Sequence, residues 1–203
     1  LGDTHSTFIN DYYTRNGISK GLKDCLDNDI ILISDVDEFP DIDKFKLFNG
    51  NLTVFKQVMF YFKLNLRVRN FDHDSGDGLW PGTRMLNFRL FKKINNVQKI
   101  RNFKAKKYGW WRFDKPRLNI INYGGWHFRF FGSSKNLKHE LENRSIGRGE
   151  NILSTYSESD INNIIKNRLP FTTEEERYEV YPLSKMPDFV KLNKERYSDS
   201  LII

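Results

Sequence analysis

Residues 29–40 constrain the fold more than any other stretch of this sequence. Four apolar residues in a row, at positions 30–33, predict a strand that is buried on both faces. An acidic cluster follows at Asp35, Asp37 and Glu38, and Pro40 ends the strand. Polar groups at the carboxyl end of a buried strand are typical of ligand sites in open sheets. The stretch therefore predicts an α/β fold with a binding site at the end of this strand.

Asp35 and Asp37 are separated by one residue, so on a continued strand their side chains would share a face. Two adjacent carboxylates stay ionised together when a cation lies between them. Hard divalent ions such as Mg²⁺ or Mn²⁺ take oxygen ligands of this kind. The pair predicts a divalent metal site, and an acidic turn after a strand is the alternative interpretation.

The composition favours one domain with a sizeable core. The chain has 203 residues, of which 38% are hydrophobic, and we predict a single domain over 1–203. Cys25 is the only cysteine, which excludes an intrachain disulfide. No apolar stretch approaches the roughly 18 residues that span a bilayer, so we expect no membrane segment in this chain. The net charge of +7 is compatible with phosphorylated ligands or nucleic acid, but the basic residues are scattered.

Hydrophobic periodicity predicts most of the secondary structure. Helices are predicted over 4–27, 41–48, 134–143 and 159–169, and after Pro182. Strands are predicted over 30–34, twice within 52–68, over 84–91 and within 124–132, and a loop is predicted over 70–82. Residues 95–123 mix basic and aromatic side chains without a clear period. Such a mixture occurs in loops that bind nucleic acid, sugar or phosphate; no nucleic-acid module motif accompanies it, so we do not expect nucleic acid.

The segment 122–132 (NYGGWHFRFFG) combines two glycines with a histidine. Gly124 and Gly125 predict a close approach of the backbone to a neighbour. His127 alternates with its aromatic neighbours as in a strand, and a neutral imidazole can complete a carboxylate metal site. His127 is therefore a candidate metal ligand.

Two segments, 34–40 (SDVDEFP) and 124–128 (GGWHF), resemble motifs of glycosyltransferase family 17. That family contains the N-acetylglucosaminyltransferase that adds the bisecting residue to N-glycans, and it has bacterial and viral relatives. Three further matches occur in the family's order, at 15–22 (RNGISKGL), 81–84 (PGTR) and 186–190 (MPDFV). Together the matches cover most of the chain.

The resemblance implies a GT-A-like (Rossmann-like) α/β fold, a mixed sheet with flanking helices. It also implies a UDP-sugar donor, expected to be UDP-N-acetylglucosamine, a glycan acceptor, a divalent metal (Mn²⁺ or Mg²⁺) and inversion at the anomeric carbon. The implied metal ligands are Asp35, Asp37 and His127. The implied contacts to the donor come from Asp35, Arg15, Asn16, Arg84 and Trp126.

An inverting transferase needs a carboxylate to deprotonate the acceptor hydroxyl. The family commonly has His-Gln-Glu in the loop after the histidine strand, and residues 148–150 (RGE) occupy that place here. Glu150 is the predicted base, with Glu38 and Asp77 as rivals. Asp37 is the second predicted catalytic residue, because a metal held there would neutralise the departing nucleoside diphosphate.

In the family a large segment precedes the metal motif, whereas 34 residues precede Asp35 here. We therefore expect an N-terminally truncated catalytic domain, whose sheet would expose an edge. A bacterial or viral enzyme would be cytoplasmic, and a eukaryotic type II membrane protein would act in the Golgi lumen. Two other classes stay open: a non-catalytic carbohydrate- or nucleic-acid-binding module, and a metal-dependent phosphoryl-transfer enzyme.

Overall fold

The computed structural model describes residues 12–69, 78–106, 109, 111–143 and 155–202. Over these ranges the chain is α/β, with a mixed sheet and flanking helices, as predicted. The strands are β1 (Ile30–Ile33), β2 (Glu38–Pro40), β3 (Leu52–Tyr61), β4 (Leu66–Arg69), β5 (Leu79–Asn87), β6 (Leu118–Ile121), β7 (Gly125–Arg129) and β8 (Arg177–Val180). The α-helices are α1 (described over 12–17), α2 (Phe88–Ile94), α3 (Val97–Asn102), α4 (Ser134–Asn143), α5 (Glu158–Asn167) and α6 (Asp188–Leu192). Short 3₁₀ helices cover Ile18–Leu22, Ile42–Leu47, Leu183–Lys185 and Ser198–Ser200.

The chain divides into two compact units. Unit 1 comprises Leu1–Gln57 and Leu79–Trp126, and unit 2 comprises Val58–Gly78 and His127–Ile203. β3 and β7 therefore contribute residues to both units. This division by contacts does not test whether 1–203 acts as one catalytic domain, which stays a prediction.

In unit 1, β1 lies at the end of the strand order, next to β5. The two strands are antiparallel, with Ile30 opposite Asn87 and Ile33 opposite Arg84. The bounds of β1 match the prediction, but burial on both faces is wrong. Ile31 and Ile33 are 5% and 3% exposed, whereas Ile30 and Leu32 are 42% and 39% exposed. An edge strand that is covered on one face alternates in this way.

Two hydrophobic clusters hold unit 1 together. Helices α2 and α3 cover one face of β1, where Ile31 and Ile33 pack with Phe91, Val97 and Ile100. A second cluster joins Phe55, Met85 and Ile121 to the half-buried rings of the 3₁₀ helix Ile42–Leu47 and its C-cap. β6 runs parallel to β3, with Leu52 opposite Leu118.

Unit 2 is built around aromatic side chains. The end of β3 pairs with β4, and β4 pairs with β8, both antiparallel. Rings of Tyr61, Phe62, Phe130, Phe171 and Tyr178 contact one another beside these strands. Helices α4 and α5 pack together. Ser157 caps α5 through a capping box, two residues earlier than the predicted Ser159.

The structure corrects several predicted elements. β5 begins at Leu79, inside the predicted loop 70–82, and continues through Pro81 and Gly82. The predicted strand 84–91 ends early because the Asn87 side chain accepts a hydrogen bond from the Leu90 N–H and starts α2. Helix α3 and strand β6 occupy the region 95–123, where no element was predicted, and β8 was also missed. The predicted helix 4–27 is described only from residue 12. It is an α-helix (α1) over 12–17 and continues as the 3₁₀ helix Ile18–Leu22.

Within the described ranges, the structure contains no helix with the length and apolar character needed to cross a membrane.

Candidate functional site

The acidic cluster forms a tight turn between β1 and β2. The Glu38 N–H donates to the Asp35 carbonyl at 3.1 Å. In return, the Asp35 N–H donates to the Glu38 carboxylate, also at 3.1 Å. Because these bonds close the turn, Asp35 and Asp37 occupy its first and third positions. The prediction that they share the face of a continued strand is wrong.

Glu38 is the buried centre of this turn, and its side chain is fully enclosed. The guanidinium of Arg101 binds it with both terminal nitrogens, Nη1 to Oε2 at 2.8 Å and Nη2 to Oε1 at 2.7 Å. The Trp80 indole N–H donates to Oε1 at 2.8 Å. A bidentate Arg–carboxylate pair fixes both side chains in one geometry.

Asp35 connects this buried pair to the surface. Arg101 Nη2 also donates to Asp35 Oδ2 at 2.8 Å, and Arg15 Nη2 donates to the same oxygen at 3.2 Å. The side chains of Asp35 and Arg15 are each about one third exposed, whereas the Arg101 side chain is buried. Arg15 is oriented by a second bond, from Nη1 to Gln98 Oε1 at 3.1 Å. Arg101 therefore bridges a buried carboxylate and an accessible one.

The opposite charges of the site stabilise each other's ionised forms. Burial raises the pKa of the Glu38 carboxyl, but the hydrogen bonds and charge of Arg101 outweigh it, and the net pKa lies below its ordinary value. Burial also lowers the pKa of Arg101, yet Glu38, Asp35 and Asp37 raise it above its ordinary value. The half-buried Asp37 carboxylate thus belongs to the same electrostatic group.

Arg84 is a second buried guanidinium, 2% exposed. Its Nη1 donates to the carbonyls of Pro81 and Gly82, and its Nη2 donates to those of Arg101 and Phe103. Burial first, and then the nearby Arg101, lower the pKa of Arg84 to about 9. Arg84 therefore holds the end of α3 against β5 in this structure, and a direct contact with a donor stays a prediction.

Gly82 brings the backbone of β5 close to the site. Its carbonyl accepts from Arg101 Nη1 at 2.9 Å. A Cβ at this position would lie 2.0 Å from Gln57 Oε1 and 3.2 Å from the Glu38 carboxyl carbon, so a larger residue would force the Gln57 side chain to move. A chain of hydrogen bonds links Gln57 Nε2 to Thr83 and Thr83 to Ser34, at 3.2 and 2.7 Å. Gln57 Oε1 itself is buried and has no hydrogen-bond partner among the described residues.

Asn16 acts on the site through α3. Its Oδ1 accepts from the Val97 N–H at 2.9 Å, and its Nδ2 donates to the Tyr12 carbonyl at 2.9 Å. Both ends of the Asn16 side chain are therefore engaged within the protein. Since Val97 is the first residue of the helix that carries Arg101, Asn16 positions that helix.

The structure places the other predicted residues in different settings. Gly124 and Gly125 make the close approach that was predicted: Gly125 has φ +150°, and a Cβ there would lie 2.2 Å from the Phe39 carbonyl oxygen. Trp126 is half-buried in unit 1, whereas His127 is buried in unit 2. Glu150 and Asp77, the predicted base and one of its rivals, lie outside the described residues.

The donor atoms of the turn are compatible with a divalent cation. Glu38 has both oxygens engaged, so Asp37 and the remaining oxygen, Oδ1, of Asp35 are the candidates to hold the ion. Over the described ranges no group of three or more His, Cys, Asp or Glu side chains is arranged to hold a metal. A pair of carboxylates is nevertheless the usual protein share of a Mg²⁺ site that is completed by phosphate oxygens and water.

Sequence reasoning missed Arg101, which organises the site. It lies in the region 95–123, and the signal that could have found it is short: Asn96 as a helix cap, followed by Val97 and Ile100 three residues apart.

Comparisons of the chain with known protein families, with curated proteins and with solved structures gave no match. The geometry therefore carries the functional argument. It combines a buried ion pair, a partly exposed carboxylate that is shared by two arginines, and a second carboxylate in one turn. Such a site can bind a ligand that carries both phosphate oxygens and a cation.

Proposed function

We propose that this protein is a metal-dependent inverting glycosyltransferase with a GT-A-like fold. It transfers a sugar, N-acetylglucosamine from UDP-N-acetylglucosamine, to a hydroxyl of a glycan. The observation that carries the proposal is the turn itself, where Arg15, Arg101 and Glu38 surround Asp35 at the end of a strand. The resemblance to glycosyltransferase family 17 assigns the metal and the donor diphosphate to Asp35 and Asp37 of this turn, with Arg15 as a further contact to the donor.

In this proposal Asp35 and Asp37 hold the divalent ion. When bound, the ion supplies charge neutralisation for the departing UDP. Arg101 keeps Asp35 in place through the bond at 2.8 Å, and Glu38 keeps Arg101 in place in turn. Arg15, whose side chain is about one third exposed, is the arginine best placed to bind a phosphate oxygen.

The acceptor half of the reaction rests on Glu150 as the general base, whereas Trp126 is a proposed contact to the donor and His127 a proposed further metal ligand. These roles come from the resemblance. Glu150→Gln is expected to keep metal-dependent UDP binding and to lose transfer, because an amide cannot take the acceptor proton. Retained transfer in this variant would exclude Glu150 as the base.

The decisive experiment measures UDP binding and turnover of UDP-N-acetylglucosamine with Mn²⁺ in Asp37→Ala. The expected result is a loss of turnover of roughly 100-fold or more, as for a lost metal ligand. Asp24→Ala is the matched control, because Asp24 is an exposed aspartate of the same unit and makes no hydrogen bond or ion pair with a described residue. Unchanged turnover in Asp37→Ala would overturn the metal site.

One observation favours a second candidate, a non-catalytic binding module. Asp35 is already paired with two arginines, so the position of its carboxylate does not depend on a metal. The two candidates differ in the effect of Mn²⁺. A transferase binds UDP more tightly with Mn²⁺ than with the chelator EDTA, whereas a metal-free module binds its ligand equally in both.

A further inference from the structure

A second concentration of charge in unit 1 surrounds a cavity of about 280 Å³. Its walls come from α2, from the chain before β3 and from the chain before β6. Among the described residues, three basic side chains line it, Arg89, Lys93 and Arg117, and no carboxylate does. The cavity therefore has a net positive lining.

This cavity lies at the other end of β5 from the acidic turn. Asn87, which lines the cavity, is opposite Ile30 at the start of β1. The acidic turn follows Ile33, which is opposite Arg84. Leu52 is opposite Leu118, so the residues that precede β3 and β6 meet at one edge of the sheet. The cavity is thus separate from the proposed donor site.

The cations of the cavity are poorly compensated. Arg89 pairs with Asp27 at 3.5 Å, and Asp27 also accepts a hydrogen bond from Lys92. Lys93 and Arg117 are exposed and make no ion pair or hydrogen bond with any residue that the structure describes. Arg89 and Lys93 lie four residues apart on α2 and so share one face of the helix. Like charges that converge on one small cavity attract an anion of high charge.

The remaining lining residues narrow the class of ligand. The side-chain oxygen Oδ1 of Asn87 caps α2 by accepting a hydrogen bond from the Leu90 N–H at 2.8 Å. The side-chain nitrogen Nδ2 of Asn87 is then available as a donor at the cavity wall. Asn51 adds a second amide, and Leu90 and Pro116 add apolar surface. Phosphate offers three acceptor oxygens and a charge of about −1.5 to −2, which matches several cationic and amide donors. The apolar surface matches the carbon part of an ester.

We propose that this cavity binds the phosphate group of a small phosphate monoester. The volume lies just below the range of about 300–1,000 Å³ that is typical of drug-sized ligands, so the ligand has few heavy atoms. The proposal does not depend on the glycosyltransferase activity, because it concerns other residues at the other end of β5.

The test is isothermal titration calorimetry with glycerol 3-phosphate, using inorganic phosphate and glycerol as comparison ligands. We expect saturable binding of one glycerol 3-phosphate per chain, weaker binding of inorganic phosphate and no binding of glycerol. Lys93→Ala and Arg117→Ala should each raise the Kd by roughly tenfold, since each removes a charge-assisted contact. Both side chains are exposed, and thermal unfolding of the variants checks that the fold is kept.

Lys166→Ala is the matched control, because Lys166 is an exposed lysine on α5 that makes no hydrogen bond or ion pair with a described residue. An unchanged Kd in this control supports a specific site. Equal weakening in the control and the cavity variants would overturn the proposal in favour of diffuse charge attraction. The absence of saturable binding, or binding only to phosphatidylcholine vesicles that contain phosphatidic acid, would also overturn it.

Discussion

Among the residues that the structure describes, each unit buries one glutamate almost completely, and the two are held in different ways. Glu38 of unit 1 is 4% exposed and is bound by the guanidinium of Arg101. Glu176 of unit 2 is 1% exposed and accepts from neutral groups, namely the N–H groups of Phe171 and Thr172 and the hydroxyls of Thr172 and Tyr178. Among the described residues, Glu176 has no ion pair.

The difference separates a structural carboxylate from one that belongs to a charge network. The hydrogen bonds of the Glu176 side chain come from residues 171–178, so Glu176 stabilises a local turn and does not connect to a charged group elsewhere among the described residues. The partner of Glu38 also binds the half-exposed Asp35, so the buried charge is coupled to a surface where a ligand can bind. Burying an ion pair often adds no net stability to the fold. The role that we infer for the Glu38–Arg101 pair is therefore to position Asp35.

The largest effect is expected for Arg101→Ala. This change leaves Glu38 buried without its cation, and breaking one partner of a buried pair costs about 3–5 kcal/mol of unfolding free energy. Urea denaturation measures the loss. Arg112→Ala is the control, because Arg112 makes a two-point pair with Asp114 at the surface, where little change is expected. Equal losses of unfolding free energy in the two variants would show that the buried ion pair contributes no more to stability than a surface pair does.

The same substitution at both glutamates sharpens the comparison. Glu38→Gln removes the charge that compensates Arg101 and should cost about 3 kcal/mol, because Asp35 compensates only in part. Glu176→Gln keeps an acceptor oxygen for neutral donors and should cost about 1–2 kcal/mol. Denaturation of the two variants under identical conditions makes the measurement. A larger cost at Glu176 would contradict the distinction drawn between the two sites.

The stability contributed by Glu38 is expected to depend on pH in the acidic range. Its folded pKa lies below the ordinary value of 4.5, so the unfolded chain binds a proton before the folded chain does. The contribution of Glu38 to stability is therefore complete above about pH 4.5 and is lost as the pH falls through the folded pKa. Urea midpoints between pH 6 and pH 3 should fall less steeply in Glu38→Gln than in the parent protein. Asp27, Asp114 and Asp160, whose pKa values are lowered by hydrogen bonds from neighbouring side chains, contribute equally to both proteins. Identical slopes would contradict the lowered pKa of Glu38.

The smallest effect is expected for Tyr178→Phe. Burial, and then the neighbouring Glu176, raise the pKa of the Tyr178 hydroxyl, which stays protonated and donates to Glu176 at 2.8 Å. Its loss removes one of several neutral donors and should cost about 1 kcal/mol. Tyr197→Phe is the control for the loss of a hydroxyl, because the half-buried Tyr197 makes no side-chain hydrogen bond with a described residue. A loss as large as that of Arg101→Ala would show that Glu176 depends on a single donor.

The elements predicted best are those with a clear side-chain period. Strands β3, β4 and β7 alternate or are rich in aromatic residues, and helices α4 and α5 carry apolar stripes. β1 was placed correctly, but four apolar residues in a row cannot tell a central strand from an edge strand whose outer face is bare. β5 was shortened because Pro81 and Gly82 are typical of loops, although they lie in the strand.

The site was predicted in part. The acidic residues were found from their spacing, yet the turn that separates them depends on the bond between the Asp35 N–H and the Glu38 side chain. Arg101 was missed because α3 is a single short helix with two buried residues, and a basic residue there has no local motif. Its role exists only through contacts 63 and 66 residues away along the chain.

The edge strand β1 has a consequence for the behaviour of the protein in concentrated solution. Among the described residues β1 has one neighbouring strand, so its other side presents unpaired backbone groups, and Ile30 and Leu32 add apolar surface beside them. Such an edge is a starting point for self-association through intermolecular strand pairing. Its short length and the exposed charge of Asp29 beside it oppose this process, as gatekeeper residues do. Solubility during expression is therefore expected to depend on this aspartate.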